Sequence, residues 1–153
     1  MKNIWLVVPC YNEEEVLPET SRQLKAVMQS MIDSGKISPE SKIAFVNDGS
    51  KDNTWNIISA LCTDDGIFAG INLSRNKGHQ NALLAGLMTA KKYADAVISL
   101  DADLQDDVDA IEKMVDNFIA GDDIVYGVRS SRKKDTFFKR FTCLLYTSPS
   151  PRD

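Results

Sequence analysis

The sequence predicts an α/β fold, a Rossmann-like and mostly parallel sheet with helices on both faces. Three observations carry that expectation. Short apolar runs rich in β-branched residues alternate with longer stretches of helical periodicity along the chain. The spacing between runs suits right-handed crossovers between parallel strands. Three of the runs also end at a polar cluster, as strands do at the ligand-binding edge of an open α/β sheet. At 153 residues the chain is long enough for one domain with a real core.

The elements follow in order. Asn3–Val8 reads as a buried strand, and a helix follows from about Glu13 to Asp33. Leu17, Leu24, Val27, Met28, Met31 and Ile32 share one stripe of that helix, and Gly35 ends it. A second strand, Lys42–Val46, leads through Asn47–Lys51 to a helix over roughly Asp52–Thr63, with Trp55, Ile58, Leu61 and Cys62 turned inward. Strand Ile67–Leu73 precedes a helix of about Gly78–Tyr93, whose Ala82, Ala85, Gly86 and Ala90 permit close packing on a sheet. Strand Ala96–Leu100 leads to helix Val108–Phe118, with Ile111, Met114 and Val115 on its buried face. A fifth strand is expected over about Asp123–Val128, after Gly121.

The polar clusters carry the chemistry. Asp101-Ala102-Asp103-Leu104-Gln105 follows the fourth run directly. Two carboxylates one residue apart at a strand's C-terminal end need a counter-charge, and a divalent cation supplies one. Hard oxygen donors suit Mg²⁺ or Mn²⁺ rather than zinc. A solvated acidic loop capping the next helix is the plainer alternative. The first run ends in Pro9-Cys10-Tyr11-Asn12-Glu13 and the second in Asn47-Asp48-Gly49-Ser50. An Asx-type turn would explain the latter by itself, but in a parallel sheet all three clusters converge on one edge.

Val8–Glu13, Val46–Ser50, Leu73–Asn76 with Gly78-His79-Gln80, and Asp101–Asp106 resemble, in order and spacing, the inverting family 2 glycosyltransferases of the GT-A fold. The likeness is greatest to those acting on polyprenyl phosphates, dolichyl or undecaprenyl, and runs from about Lys2 to Thr142. It implies metal-dependent, inverting transfer of a sugar from a nucleoside-diphosphate sugar, with a polyprenyl phosphate as acceptor. A saccharide acceptor is the alternative. In that pattern Asp48 hydrogen-bonds the base, with Pro9, Tyr11, Glu13 and Val46 around it. Asp101 and Ala102 lie on the ribose and metal side, and Asp101 and Asp103 are the catalytic carboxylates. Asp103 and Gln105 are the metal ligands. Arg75 and Arg129 are candidates for the diphosphate, because guanidinium forks match phosphate oxygens. Tyr11 also reads as an exposed loop aromatic, both arginines as surface residues, and His79 as a capping imidazole. Lys77 departs from the aromatic or aliphatic residue that relatives often carry.

Charge sharpens the picture. The net charge is −4, yet residues 1–127 hold 11 basic against 20 acidic residues, and 128–142 hold six basic against one acidic. A basic segment on an acidic body fits a phosphate-rich ligand or an anionic membrane surface, as well as a solvated loop. Nucleic acid is not expected, since no aromatic-interleaved basic face accompanies it. Cys10 and Cys62 lack metal or redox spacing and read as buried thiols of a reducing cytosol. No leader peptide opens the chain and no run of 18 apolar residues occurs. Membrane association is therefore expected only through the basic segment or through sequence beyond this chain, at the cytoplasmic face. Cys143–Asp153 resembles one reading frame of a sequencing adapter. Residues 143–153 are accordingly expected to pack poorly, residues 1–142 to be the N-terminal, nucleotide-sugar-binding part of a longer enzyme, and the chain itself to be inactive.

Three other classes compete. A nucleotidyltransferase would want a glycine-rich basic loop where Pro9–Glu13 stands. A haloacid-dehalogenase-type phosphatase would carry its Asp-x-Asp on the first strand. A non-catalytic nucleotide-binding module would share the cleft but lack metal-linked binding.

Overall fold

The computed structural model describes residues 1–104 and 108–123 and the strand at 145–147. Its elements are β1 (Ile4–Cys10), α1 (Leu17–Asp33), β2 (Lys42–Asn47), α2 (Thr54–Asp64), β3 (Phe68–Asn72), α3 (His79–Ala90), β4 (Ala96–Ser99), α4 (Asp109–Ile119) and β5 (Leu145–Thr147). The strand order is β3-β2-β1-β4-β5. β1 pairs in parallel with β2 and β4, and β2 with β3, while β5 runs antiparallel to β4. The order reverses between β1 and β4, which opens a crevice at their C-terminal ends.

Helices cover both faces, unequally. Leu24, Met28 and Met31 of α1, Ile58 of α2 and Ile111, Met114 and Val115 of α4 share one buried cluster with Ile4, Leu6, Phe45 and Ile98. On the other face Val7, Ala44, Val46 and Val97 meet Ala82 and Ala90 of α3. The small residues of α3 let its backbone lie close to the sheet. A Cβ added at Gly86 would stand 2.4 Å from Val7 Cγ1 and 2.9 Å from Val46 Cγ2.

Three expectations are corrected. Helix α1 begins at Leu17, four residues later than Glu13, because Glu13–Val16 form a turn in which the Glu13 carbonyl accepts from Val16 and Leu17 N–H. Pro18 in the first turn marks the start, having no N–H to lose there. β1 runs on through Pro9 and Cys10. Pairing with β4 ends at Val7 and Ser99, so the N–H that Pro9 lacks interrupts no ladder bond on that side. Within the segment expected to pack poorly, Leu145–Thr147 pairs with Ala96–Ile98. They meet the side of β4 that β1 leaves unpaired. Cys10 is buried as expected, but Cys62 only partly. The strand expected at Asp123–Val128 lies, from residue 124 onward, outside the described residues.

Candidate functional site

The crevice is a cleft of about 280 Å³ lined by Pro9, Cys10, Tyr11, Glu13, Asp48, Asn76, Gly78, His79, Asp101, Ala102 and Asp103. These residues come from the ends of β1, β2 and β4, the loop after β3, and the start of α3. Six of the expected nucleotide-side residues, Pro9, Tyr11, Glu13, Asp48, Asp101 and Ala102, are brought together, with Asp103 beside them. Val46 is not at the wall: it is fully buried between the sheet and α3. Arg75 is exposed and does not line the cleft. Gln105 and Arg129 lie outside the described residues. Cys10, Asn76 and Gly78 line the cleft without having been assigned a role from sequence. Their signal was adjacency alone, inside motifs whose other members carried the resemblance.

The two loops beneath the cleft brace each other. Asn12 adopts φ +51°, a conformation that asparagine tolerates better than most residues. Its N–H donates to Ser50 Oγ at 3.0 Å, and its Oδ1 accepts from Lys51 N–H at 2.9 Å. Glu13 N–H donates to Thr54 Oγ1 at 2.9 Å. Asp52 Oδ1 accepts from the Thr54 N–H at 2.9 Å, forming the turn that leads into α2. The Asx turn foreseen for Asp48 thus belongs to Asp52, while Asn47 Oδ1 accepts from Ser50 N–H, three residues on, at 3.2 Å.

Asp48 has a different task. It is 3 % exposed, and its Oδ1 accepts from Lys77 N–H at 2.7 Å. That bond holds the loop after β3 against the end of β2. Gly49, at φ +67°, lies directly beneath, where a Cβ would stand 2.2 Å from Asn76 N. The departure at Lys77 is therefore of little consequence for this contact, which uses its backbone.

The electrostatics are one-sided. Among the described residues no lysine or arginine lines the cleft, and His79 Nε2 stands 3.9 Å from Asp101 Oδ1. Glu13 is held above the usual carboxylate range by burial first, then by the charges of Asp103, Asp52 and Asp101. Burial, with a smaller push from Glu13, also raises the Cys10 thiol far enough that it is no nucleophile at neutral pH. Among the described residues no three acidic, histidine or cysteine side chains form a self-sufficient metal cage. The donor set fits a hard cation shared with a ligand's phosphates, which needs only one or two protein carboxylates.

The raised Glu13 has a testable consequence. An acid whose folded pKa lies above its unfolded value costs stability when ionised, and the cost is relieved as pH falls through the folded pKa. At pH 7 the cost is present. Glu13→Gln should leave the melting temperature unchanged or raise it, by about 1–3 °C after allowing for solvent screening. The difference should shrink in acid. Scanning calorimetry at pH 7 and pH 4 checks both signs.

Comparison with known proteins places the chain. The model of the family described as glycosyl transferase family 2 matches residues 5–149. The chain is 53% identical over 139 residues to the uncharacterized glycosyltransferase YkoT of Bacillus subtilis (strain 168), covering 91% of this chain and 41% of that protein. It is 40% identical over 140 residues to the bactoprenol glucosyl transferase of Shigella phage SfV, covering 91% and 43%. It thus spans less than half the length of these relatives. Among solved structures, S. aureus TarS 1-349 in complex with UDP superposes with a TM-score of 0.60 at 18% identity, over 95% of this chain and 47% of that one. That likeness establishes a shared fold.

Proposed function

Given that the chain belongs to glycosyl transferase family 2, we propose that its cleft binds a nucleoside-diphosphate sugar for inverting transfer to a polyprenyl phosphate. One observation carries the reading. Three parallel strands and the N-terminus of α3 deliver an aromatic ring, a buried carboxylate and an Asp-x-Asp turn to one acidic cleft at the point where strand order reverses. The relatives named bactoprenol glucosyl transferase support a polyprenyl-phosphate acceptor. The fold neighbour was solved in complex with UDP, which supports a nucleotide as ligand.

The roles follow from position. Tyr11, 41 % exposed at the rim, offers its face to the base. Asp48, besides anchoring Lys77, accepts from the base, with Pro9 and Glu13 beside it and Val46 backing it from the core. Asp101 and Ala102 border the ribose, while Arg75, exposed outside the cleft lining, and Arg129, outside the described residues, are assigned to the diphosphate by the family resemblance alone. Asp103 would hold Mg²⁺ or Mn²⁺, with Gln105 assigned beside it by the resemblance, and the cation would supply charge neutralisation for a departing nucleoside diphosphate. The acceptor oxygen arrives on the face of the anomeric carbon opposite the leaving group, so configuration inverts. A phosphate oxygen is already anionic at neutral pH and needs no strong base. Such an acceptor implies work at the cytoplasmic face of a membrane, where the basic residues of 128–142 would meet anionic headgroups. No helix among the described residues is long and apolar enough to cross a membrane.

The test is metal-linked protection. UDP or GDP at about a hundred times its Kd should stabilise the protein by about 2.7 kcal/mol in the presence of Mn²⁺, a shift of several degrees. Without the cation the shift should collapse. If neither nucleotide protects the protein more with Mn²⁺ than without, the reading is wrong.

A further inference from the structure

We propose that Thr20, on α1, is a positioning residue that sets the orientation of the Asp101–Asp103 turn; the inference rests on the sugar-transfer reading above. The turn is built from opposed placements. Asp101 and Asp103 are exposed, whereas Ala102 is 4 % exposed and belongs to the core cluster. Leu104 packs partly against the same cluster and adopts φ +44°, a conformation that costs a γ-branched residue energy. Its N–H closes back on the Asp101 carbonyl at 3.4 Å, a long and weak bond. The turn's internal bonding alone is thus a poor clamp.

The clamp comes from outside. Thr20, 3 % exposed, donates its hydroxyl to the Ala102 carbonyl at 2.6 Å, across 82 residues of sequence. That carbonyl belongs to the peptide plane joining Ala102 to Asp103. Fixing the plane fixes the direction in which the Asp103 backbone, and so its carboxylate, leaves the turn. Three other helical hydroxyls serve as a control. Ser21, Thr63 and Thr89 each donate to a carbonyl of their own helix, the usual resting place of a helical hydroxyl. Thr20 instead leaves the Val16 carbonyl to its own backbone N–H and reaches across to the turn. α1 also begins just after the Pro9–Glu13 loop, so this one bond fixes the carboxylate turn relative to the opposite wall of the cleft. Positional errors well below 1 Å matter for a ligand shared between protein and substrate phosphates.

The experiment compares wild type, Thr20→Val and Thr20→Ser by titration calorimetry with UDP and GDP, with and without Mn²⁺, beside thermal melts. Wild type should show metal-linked binding. Thr20→Val keeps the volume and loses the donor, and its metal-linked affinity should fall about five- to tenfold. Its metal-free affinity should not change. Thr20→Ser keeps the hydroxyl and should bind within about twofold of wild type even though it melts lower for its lost methyl. Equal metal-linked affinity in Thr20→Val and wild type would overturn the positioning role and leave the sugar-transfer reading standing. A Thr20→Ser protein that folds but loses the metal-linked component would overturn it too, by showing that packing and not the hydroxyl matters. Absence of metal-linked binding in wild type would overturn the sugar-transfer reading, and this inference with it.

Discussion

Asp103→Asn is expected to remove metal-linked nucleotide binding while the protein stays folded. The substitution keeps size and shape and deletes one charge from the proposed hard-cation site. Removing an outer partner of a metal ligand already costs roughly 10–100-fold in affinity, and a direct ligand should cost no less, so a loss of at least about tenfold is expected. Stability should move little, because Asp103 is exposed and its charge is one of three that push Glu13 up. Calorimetric titration of Mn²⁺ with UDP or GDP, beside circular dichroism, separates the two effects. Undiminished metal-linked binding in a folded Asp103→Asn protein would remove Asp103 from the metal site.

Gly49→Ala should have the largest effect on stability. Its Cβ would meet Asn76 N at 2.2 Å and the Arg75 carbonyl carbon at 2.6 Å, and both are backbone atoms that no rotamer change can move. The residue also sits at φ +67°, which alanine disfavours. Together the clash and the backbone cost should reach about 2–4 kcal/mol, a fall of roughly 8–15 °C. Gly35→Ala is the internal control. Its φ is +75°, with nothing within 4 Å of the added carbon, so it should lose only the conformational part, about 1–2 kcal/mol. Equal losses in the two variants would mean that the loop after β3 yields freely to the added carbon. The Asp48 bond to Lys77 would then not be holding that loop in place.

The architecture was legible because its determinants are local. Ile4–Val8, Ile43–Val46 and Ala96–Leu100 can be little other than buried strands, and the stripe from Leu17 to Ile32 has helical period. The boundary of α1 was legible too, in Pro18, but the acidic run Glu13–Glu15 looks equally like a first helical turn. Of the site, the clusters were readable because strand ends in a parallel sheet share an edge. Val46 shows where that reasoning stops. The resemblance put it beside the base, yet it lies inside β2, short of the strand end, and its side chain is buried under α3. What joins Asp48 to Lys77, Thr20 to Ala102 and Asn12 to Lys51 is a backbone acceptor or donor supplied by another segment. Any residue type presents those groups, so no pattern of letters announces them.

The packing of α3 on the sheet bears on how this cleft can change over time. Gly86 brings α3 so close to Val7 and Val46 that even an added Cβ would collide, which leaves the helix little room to move toward the strands. His79, its first residue, is consequently mounted on a fixed strut. The wall that it forms can be altered by exchanging the side chain at the tip, but not by shifting the strut that carries it. Adaptation to a larger or smaller donor should accordingly appear as substitutions at positions 76 to 79, with the alanines and glycine of α3 left as they are.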